Sequence, residues 1–219
     1  MTAVAPRFRW TSFGVEDVLP DDWRACILDV ASSHYRARTL VAGSVTSREA
    51  TPDTRVPVMG VWGRTVRARL PWLTRLYETT FRDIVASTAT EPIVTALDDR
   101  YGAVLNVQCG SSMRYECHVD SNPVEALLYV TTHPAGTGGE LVIARDPSAH
   151  SLEEIEQDHH TIHPVSGHLV VFDGRHNPHY VRPVRDGGMR VVVAMNYYTP
   201  SCPEEERPAD LNWHLFGED

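Results

Sequence analysis

The sequence contains no lysine, so all 20 of its cationic side chains are arginine. That absence excludes a Schiff base, a pyridoxal-phosphate anchor and a P-loop lysine. Any anionic co-substrate must be held by arginine, histidine or neutral donors. The cysteines Cys26, Cys109, Cys117 and Cys202 form no CxxC pair. No stretch approaches the roughly 20 apolar residues of a membrane span, and Met1–Trp10 has no apolar core of signal-peptide length. Basic excess is lacking too: the formal net charge is -9 at pH 7, which argues against a nucleic acid or an anionic membrane as partner. These absences describe a reduced, soluble, cytoplasmic protein with a small-molecule substrate. No internal repeat is present. At 219 residues the chain is expected to be one domain, large enough to bury roughly 70% of its unfolded surface.

Two textures divide the chain. Apolar positions Trp23, Ile27, Val30 and Ala31, preceded by acidic residues, predict a helix over Asp21–His34. The Pro- and Gly-punctuated stretch Gly43–Gly63 reads as loop. A second helix is expected over Pro71–Thr88, with Glu78 and Arg82 four apart on its outer side. From Arg100 onward the pattern changes to short β-rich runs: Ala103–Cys109, Met113–Val119, Ala126–Thr132, Glu140–Ala144, His159–His163, His168–Phe172, His179–Val184 and Arg190–Tyr198. Eight antiparallel strands in two sheets predict a mainly β fold with N-terminal helices, a jelly roll or double-stranded β-helix of cupin-like architecture. The expected organisation is a helical support region over 1–100, a jelly-roll core over 101–199 and a tail over 200–219 that docks on the body. Arg145–Asp158 is acidic and reads as a surface excursion.

Chemistry concentrates between Tyr115 and Arg190. His118 and Asp120 lie one residue apart on a predicted strand, so their side chains point the same way and can bind one metal ion together. A second histidine brought alongside by strand pairing completes a two-His, one-carboxylate face with open positions opposite, the geometry of non-haem Fe(II) oxygenases. Of eleven histidines, His179 is favoured. His159 and His160 lie beside an acidic segment, while His133, His163, His168 and His176 fall at turns or strand ends. His179 is also followed by Arg190, which opens the apolar run Val191–Met195. A guanidinium in a core strand is costly when buried alone and is explained by an anion that it clamps through two parallel hydrogen bonds.

Tyr115-x-x-His118-x-Asp120, Gly138-Gly139-Glu140-Leu141, Pro164-x-x-Gly167-x-Leu169-Val170-x-Phe172, His179-x-Val181-x-Pro183-Val184 and Arg190 together resemble the Fe(II)- and 2-oxoglutarate-dependent oxygenases of the prolyl-4-hydroxylase-like type. The resemblance covers about Asn106 to Tyr198. Met113–Pro123 is similar to the small bacterial enzymes that hydroxylate or halogenate free amino acids. The resemblance implies that His118, Asp120 and His179 are iron ligands and catalytic, that Arg190 clamps 2-oxoglutarate, and that Asn106 is a second contact to that co-substrate. Gly110 stands eight residues before His118, where the family interval is shorter, and no tyrosine precedes that glycine. The residue at the near end of 2-oxoglutarate is left open.

The related halogenases have a small residue in place of the carboxylate. Asp120 therefore implies hydroxylation, with O2 and 2-oxoglutarate consumed and succinate and CO2 released. Desaturation uses the same ligands, and a cupin-like metal enzyme that ignores 2-oxoglutarate, or a binding module without metal, are the readings of other classes. For a free amino acid substrate, Arg55, Tyr115 and Asn196 are the candidate contacts. Trp213 reads as an apolar anchor of the tail. A homodimer is left open.

Overall fold

The computed structural model describes residues 10–217. The signal-peptide reading of the N-terminus, Trp10 excepted, and the last two residues of the tail lie outside them. The chain forms β1 (Trp10–Gly14), α1 (Trp23–His34), β2 (Arg36–Val41), β3 (Arg55–Val61), α2 (Gly63–Arg69), α3 (Pro71–Glu78), α4 (Thr80–Ala86), β4 (Val94–Thr95) and β5 (Ala103–Cys109). It continues through β6 (Val124–Tyr129), β7 (Leu141–Ala144), α5 (Leu152–Gln157), β8 (His159–Ile162), β9 (His168–Phe172), β10 (His179–Val181), β11 (Met189–Tyr198) and α6 (Leu211–Phe216). The major sheet runs β1-β9-β6-β11-β5-β3-β2, with β4 pairing β11, and the minor sheet runs β10-β7-β8. All pairs are antiparallel, giving the jelly roll anticipated above.

The alternation of side chains along β11 explains the layering. Val191, Val193, Met195 and Tyr197 turn to one face, where they join Ile27, Leu73, Phe81 and Val85 of the helices in the largest core cluster. Val192 and Ala194 turn to the other and pack with Leu141, Ile143, Ile162 and Val181 of the minor sheet. Each fully buried side chain of this size contributes about 1.5–3 kcal/mol, so the major sheet is held from both sides. The minor sheet is covered in turn: Ile155 of α5 is fully buried against Val142, Ala144 and Tyr180. Arg145–Asp158 is therefore acidic outside but anchored by one apolar residue.

Several expected elements differ. The first hundred residues contribute β1, β2 and β3 to the major sheet as well as helices. Within Gly43–Gly63 only the first part is loop, because Val56 and Val61 are buried and β3 lies between β2 and β5. The long helix is broken at Thr79, whose hydroxyl donates to the Arg75 carbonyl at 2.7 Å, the back-bond by which threonine bends helices. Glu78 consequently pairs with Arg67 and Arg82 with Asp83. Met113–Val119 forms no regular strand. Its backbone bonds are shared between β10 on one side (Tyr115 N to Val181 O, 3.1 Å) and the 44–49 segment on the other (Arg48 N to Cys117 O, 2.7 Å; Val119 N to Thr46 O, 2.9 Å). Only isolated bridges result.

The tail docks through both apolar and ionic contacts. Leu211 and Phe216 are buried with Tyr101 and Tyr198, whereas Trp213 is 62% exposed and is not the anchor. Glu204 accepts from the Leu97 and Asp98 amides. Asp98 receives Arg100 and Arg207, each at 2.8 Å. Burial pushes the Asp98 carboxyl upward, but the two arginines outweigh it and hold it well below the usual carboxylate range. A depressed folded value means stabilisation that is present above the unfolded value of about 3.9 and lost as pH falls. Asp98→Asn should lower stability in urea by about 1–3 kcal/mol at pH 7, and the gap to wild type should shrink progressively below pH ~4.

Candidate active site

His118 and His179 face each other across a reciprocal backbone pair, N to O at 3.0 Å and 2.9 Å, which brings their rings to 4.3 Å between centroids. Each Nδ1 meets a backbone carbonyl, Glu116 O at 2.7 Å for His118 and Asn177 O at 2.9 Å for His179. Donation there places the proton on Nδ1 and leaves each Nε2 lone pair free to ligate. Asp120 is fixed by its amide, which donates to Gly174 O at 2.9 Å. Its carboxylate lies 3.3 Å from His118 Nε2 and 3.6 Å from His179 Nε2.

All three ligand atoms fall within 4.8 Å of one another, the one group of this kind among the described residues. Burial pulls the His118 imidazole down, but the hydrogen bond and charge of Asp120 more than compensate and its pKa is raised. For His179 burial wins, and the ring is held at about 4, neutral near pH 7. Burial pushes Asp120 up, yet the charges of the two imidazoles and the His118 hydrogen bond keep it below its ordinary value. Asp120 Oδ2 is buried without a hydrogen-bond partner. An orphaned carboxylate oxygen beside two available Nε2 atoms is what a divalent metal fits.

The cavity in front of this cluster is lined by β2, β3, β5, β6, β9 and β11 together with α6. Arg190 closes its deep end, 1% exposed. Its Nη1 donates to Gln108 Oε1 at 3.1 Å, its guanidinium lies 5.5 Å from the Tyr129 ring centre, and its Nε and Nη2 have no partner. Burial lowers its pKa, but a guanidinium stays charged at neutral pH. Two unpartnered donors on one buried cation are able to take a carboxylate through two parallel hydrogen bonds. Asn106 lines the same cavity, level with Val192 on β11, and Gln108 follows it on the same strand face.

The remaining expected contacts are distributed unevenly. Tyr115 lines the cavity with its ring 5.3 Å from His118, and burial pushes its hydroxyl pKa up. Asn196 also lines it, but its Nδ2 is occupied by the Tyr101 carbonyl at 2.6 Å. Arg55 does not reach the cavity: it is an exposed residue at the start of β3, opposite Val41. Arg36 and Arg38, whose strand was not foreseen, line the cavity instead. Glu125, just ahead of the strand start expected at Ala126, lines it as well, and burial followed by the nearby Asp120 charge raises its pKa well above normal. His214 of α6 reaches Glu116 at 2.8 Å. Period-two reading from Asn106 reveals Gln108, but nothing local in the sequence marks His214.

Residues 103–198, which include the three ligands and Arg190, match the model of the 2OG-Fe(II) oxygenase superfamily. The fold is similar to AviO1 from Streptomyces viridochromogenes Tue57, with TM-score 0.62 and 15% identity, covering 92% of this chain and 94% of that one. It is also similar to HygX from Streptomyces hygroscopicus with nickel and 2-oxoglutarate bound, with TM-score 0.59 and 12% identity over 89% and 84% of the two chains. A prolyl hydroxylase from Trichoplax adhaerens, in complex with a hypoxia inducible factor peptide fragment, gives TM-score 0.60 and 16% identity over 91% and 87%. No curated protein matches the sequence. The part of the chain that matches this family is the part that carries the metal cluster and Arg190.

Gly174 supports the cluster from behind, since a Cβ there would fall on Asp120 Oδ2. Gly174→Ala should weaken Fe(II) or Mn(II) binding by roughly 10- to 100-fold, the range for lost support of a metal ligand. Calorimetric titration checks this, with circular dichroism expected to show an unchanged fold.

Proposed function

We propose that this oxygenase hydroxylates an unactivated C–H bond of a small polar substrate, a free amino acid, releasing succinate and CO2. His118 and His179 bind the iron through Nε2 and Asp120 through its carboxylate, and Arg190 holds the distal carboxylate of 2-oxoglutarate with Asn106 and Gln108 beside it. The observation that carries this reading is the pair of unpartnered donors on buried Arg190, in one cavity with an orphaned Asp120 oxygen. A structural arginine would have its donors satisfied.

Asp120 also favours hydroxylation over halogenation, because a carboxylate occupies the position that a halide would need. The iron, when bound, supplies the oxidation in which one atom of O2 enters succinate and the other enters the substrate C–H. The chain's own residues bind, orient and exclude water. The Nδ1 bonds to the Glu116 and Asn177 carbonyls fix both imidazoles, the bidentate clamp sets the co-substrate, and Leu127, Val181 and Val192 keep the space between dry. Tyr115 and Asn196 shape the substrate end. Arg36, Arg38, Glu116 and Glu125 among its lining give it groups of both signs, which suits a zwitterion. Four unpaired cysteines fit a reducing cytoplasm, and no helix among the described residues is long and apolar enough to cross a membrane.

The purified protein, held anaerobically with Fe(II) and 2-oxoglutarate, should develop the weak visible absorption of the chelate. Arg190→Ala should raise the 2-oxoglutarate requirement by about 10- to 100-fold, and His179→Ala should abolish the band. On admission of air, one amino acid of a panel should gain a single oxygen as succinate forms in equal amount. Failure of the band to form sinks the oxygenase mechanism; a band without any oxidised panel member sinks only the substrate class.

A further inference from the structure

Glu125 presents the mirror image of the Arg190 problem. It is 6% exposed, lines the cavity, and receives one hydrogen bond, from Asn122 Nδ2 to its Oε2 at 3.1 Å. Among the described residues no cation pairs with it. A buried carboxylate with a single neutral donor is costly, so without a cation beside it the group holds its proton more tightly than an ordinary glutamate.

Its place in the sheet fixes which ligand it faces. Glu125 is in register with Asn196 on β11, six residues from Arg190, or about 20 Å at strand rise. The anion-holding and acidic ends of the cavity thus lie at opposite ends of one strand. Phe172, the partner of Glu125 on β9, is the ring that His179 packs against at 5.1 Å. Glu125 therefore stands level with the metal ligands, on the side away from the 2-oxoglutarate clamp.

The carboxyl is also held in place. Tyr198 contacts Ser121 Oγ at 3.4 Å and Ser121 contacts the Tyr101 hydroxyl at 3.1 Å. Tyr101 donates to Asn122 Oδ1 at 2.9 Å, and Asn122 donates to Glu125. A site group locked by supporting hydrogen bonds is preorganised for its ligand. The neighbouring Asn196 amide is itself fixed by donation from its Nδ2 to Tyr101 O. The chain has no lysine, so it offers no lysine ammonium for this position.

We propose that Glu125 receives the ammonium group of the substrate and makes the enzyme selective for primary amines. The assignment deepens the oxygenase reading above and rests on it. A carboxyl that served only to hold the Asn122 turn would be indifferent to the charge of the ligand.

The test uses the anaerobic Fe(II)–2-oxoglutarate chelate of the wild type, E125Q and E125D. Each is titrated with free amino acids and simple primary amines, and with their N-acetyl counterparts, while shifts of the chelate band are followed. In the wild type at least one amine should bind about tenfold or more tightly than its acetylated form. E125Q, which preserves shape and the Asn122 bond, should bring the two within about twofold, and E125D should keep the preference at reduced affinity. Equal binding of amine and amide by the wild type, an undiminished preference in E125Q, or no band shift with any amine overturns the proposal. So does loss of the chelate in E125Q alone, which would make Glu125 a part of the metal site. Absence of the chelate in the wild type overturns the oxygenase reading itself, and this assignment with it.

Discussion

The reciprocal backbone hydrogen bonds between His118 and His179 are the constraint on which the site depends. They join a segment that forms no regular strand to the short β10, and they place two imidazoles opposite each other. From this single bridge the rest of the cluster follows. Asp120, two residues on, returns to the same side and is stopped by the Gly174 carbonyl. Regular pairing on both flanks would have used the same donors and acceptors in a flat ladder. The irregular segment instead bonds β10 with some residues and the 44–49 segment with others. The loop at 44–49 is therefore part of the metal site's support, further secured by Glu49, which receives Arg114 at 2.6 Å and the Cys117 amide at 2.8 Å.

β11 does the complementary work. Its odd positions bind the helices to the sheet, and its even positions carry Arg190 and Asn196 at the two ends of the cavity. A change of register by one residue would exchange the two sets and place a guanidinium in the helix-facing core. Apolar packing on the outer face thus fixes the position of a charge on the inner one. This coupling also explains why the cavity can tolerate so much unsatisfied polarity: its cost is offset by a core that is continuous from β1 to the helices.

Much of this was legible in the sequence where side-chain period and chemistry coincide. Ala103–Cys109 and His168–Phe172 read directly as strands, and the jelly roll follows from their number and spacing. His118, Asp120, His179 and Arg190 stand out by residue type on expected strands, and the fold gathers them in one cavity although the first two lie on no regular strand. The segments misread have identifiable physical causes. Pro57 and Gly60 concealed β3, whose Val56 and Val61 are core residues, and the Thr79 back-bond to Arg75 divides a helix whose apolar periodicity runs on without interruption. Arg55 reads as a loop residue, but it lies on the exposed start of a strand whose later residues line the cavity. Contacts between distant segments, such as His214 with Glu116, leave no local pattern at all.

The distribution of charge gives the cavity a direction. Arg190 and Glu125 are both buried and both incompletely satisfied, yet the sheet keeps them too far apart to neutralise each other. Had they been adjacent on β11 and β6, they would have formed a buried ion pair, and the cavity would have lost its demand for charged ligands. Separation along the strand leaves each as a docking point of opposite sign, with His179 of β10 and the irregular His118–Asp120 segment bridged to it reaching in beside them. On the proposed assignments, a dicarboxylate co-substrate would answer the arginine and an ammonium the glutamate, and charge would tell the two ligands apart before either met the metal. In a chain without lysine, a mobile ammonium from the protein's own side chains cannot compete for that second position.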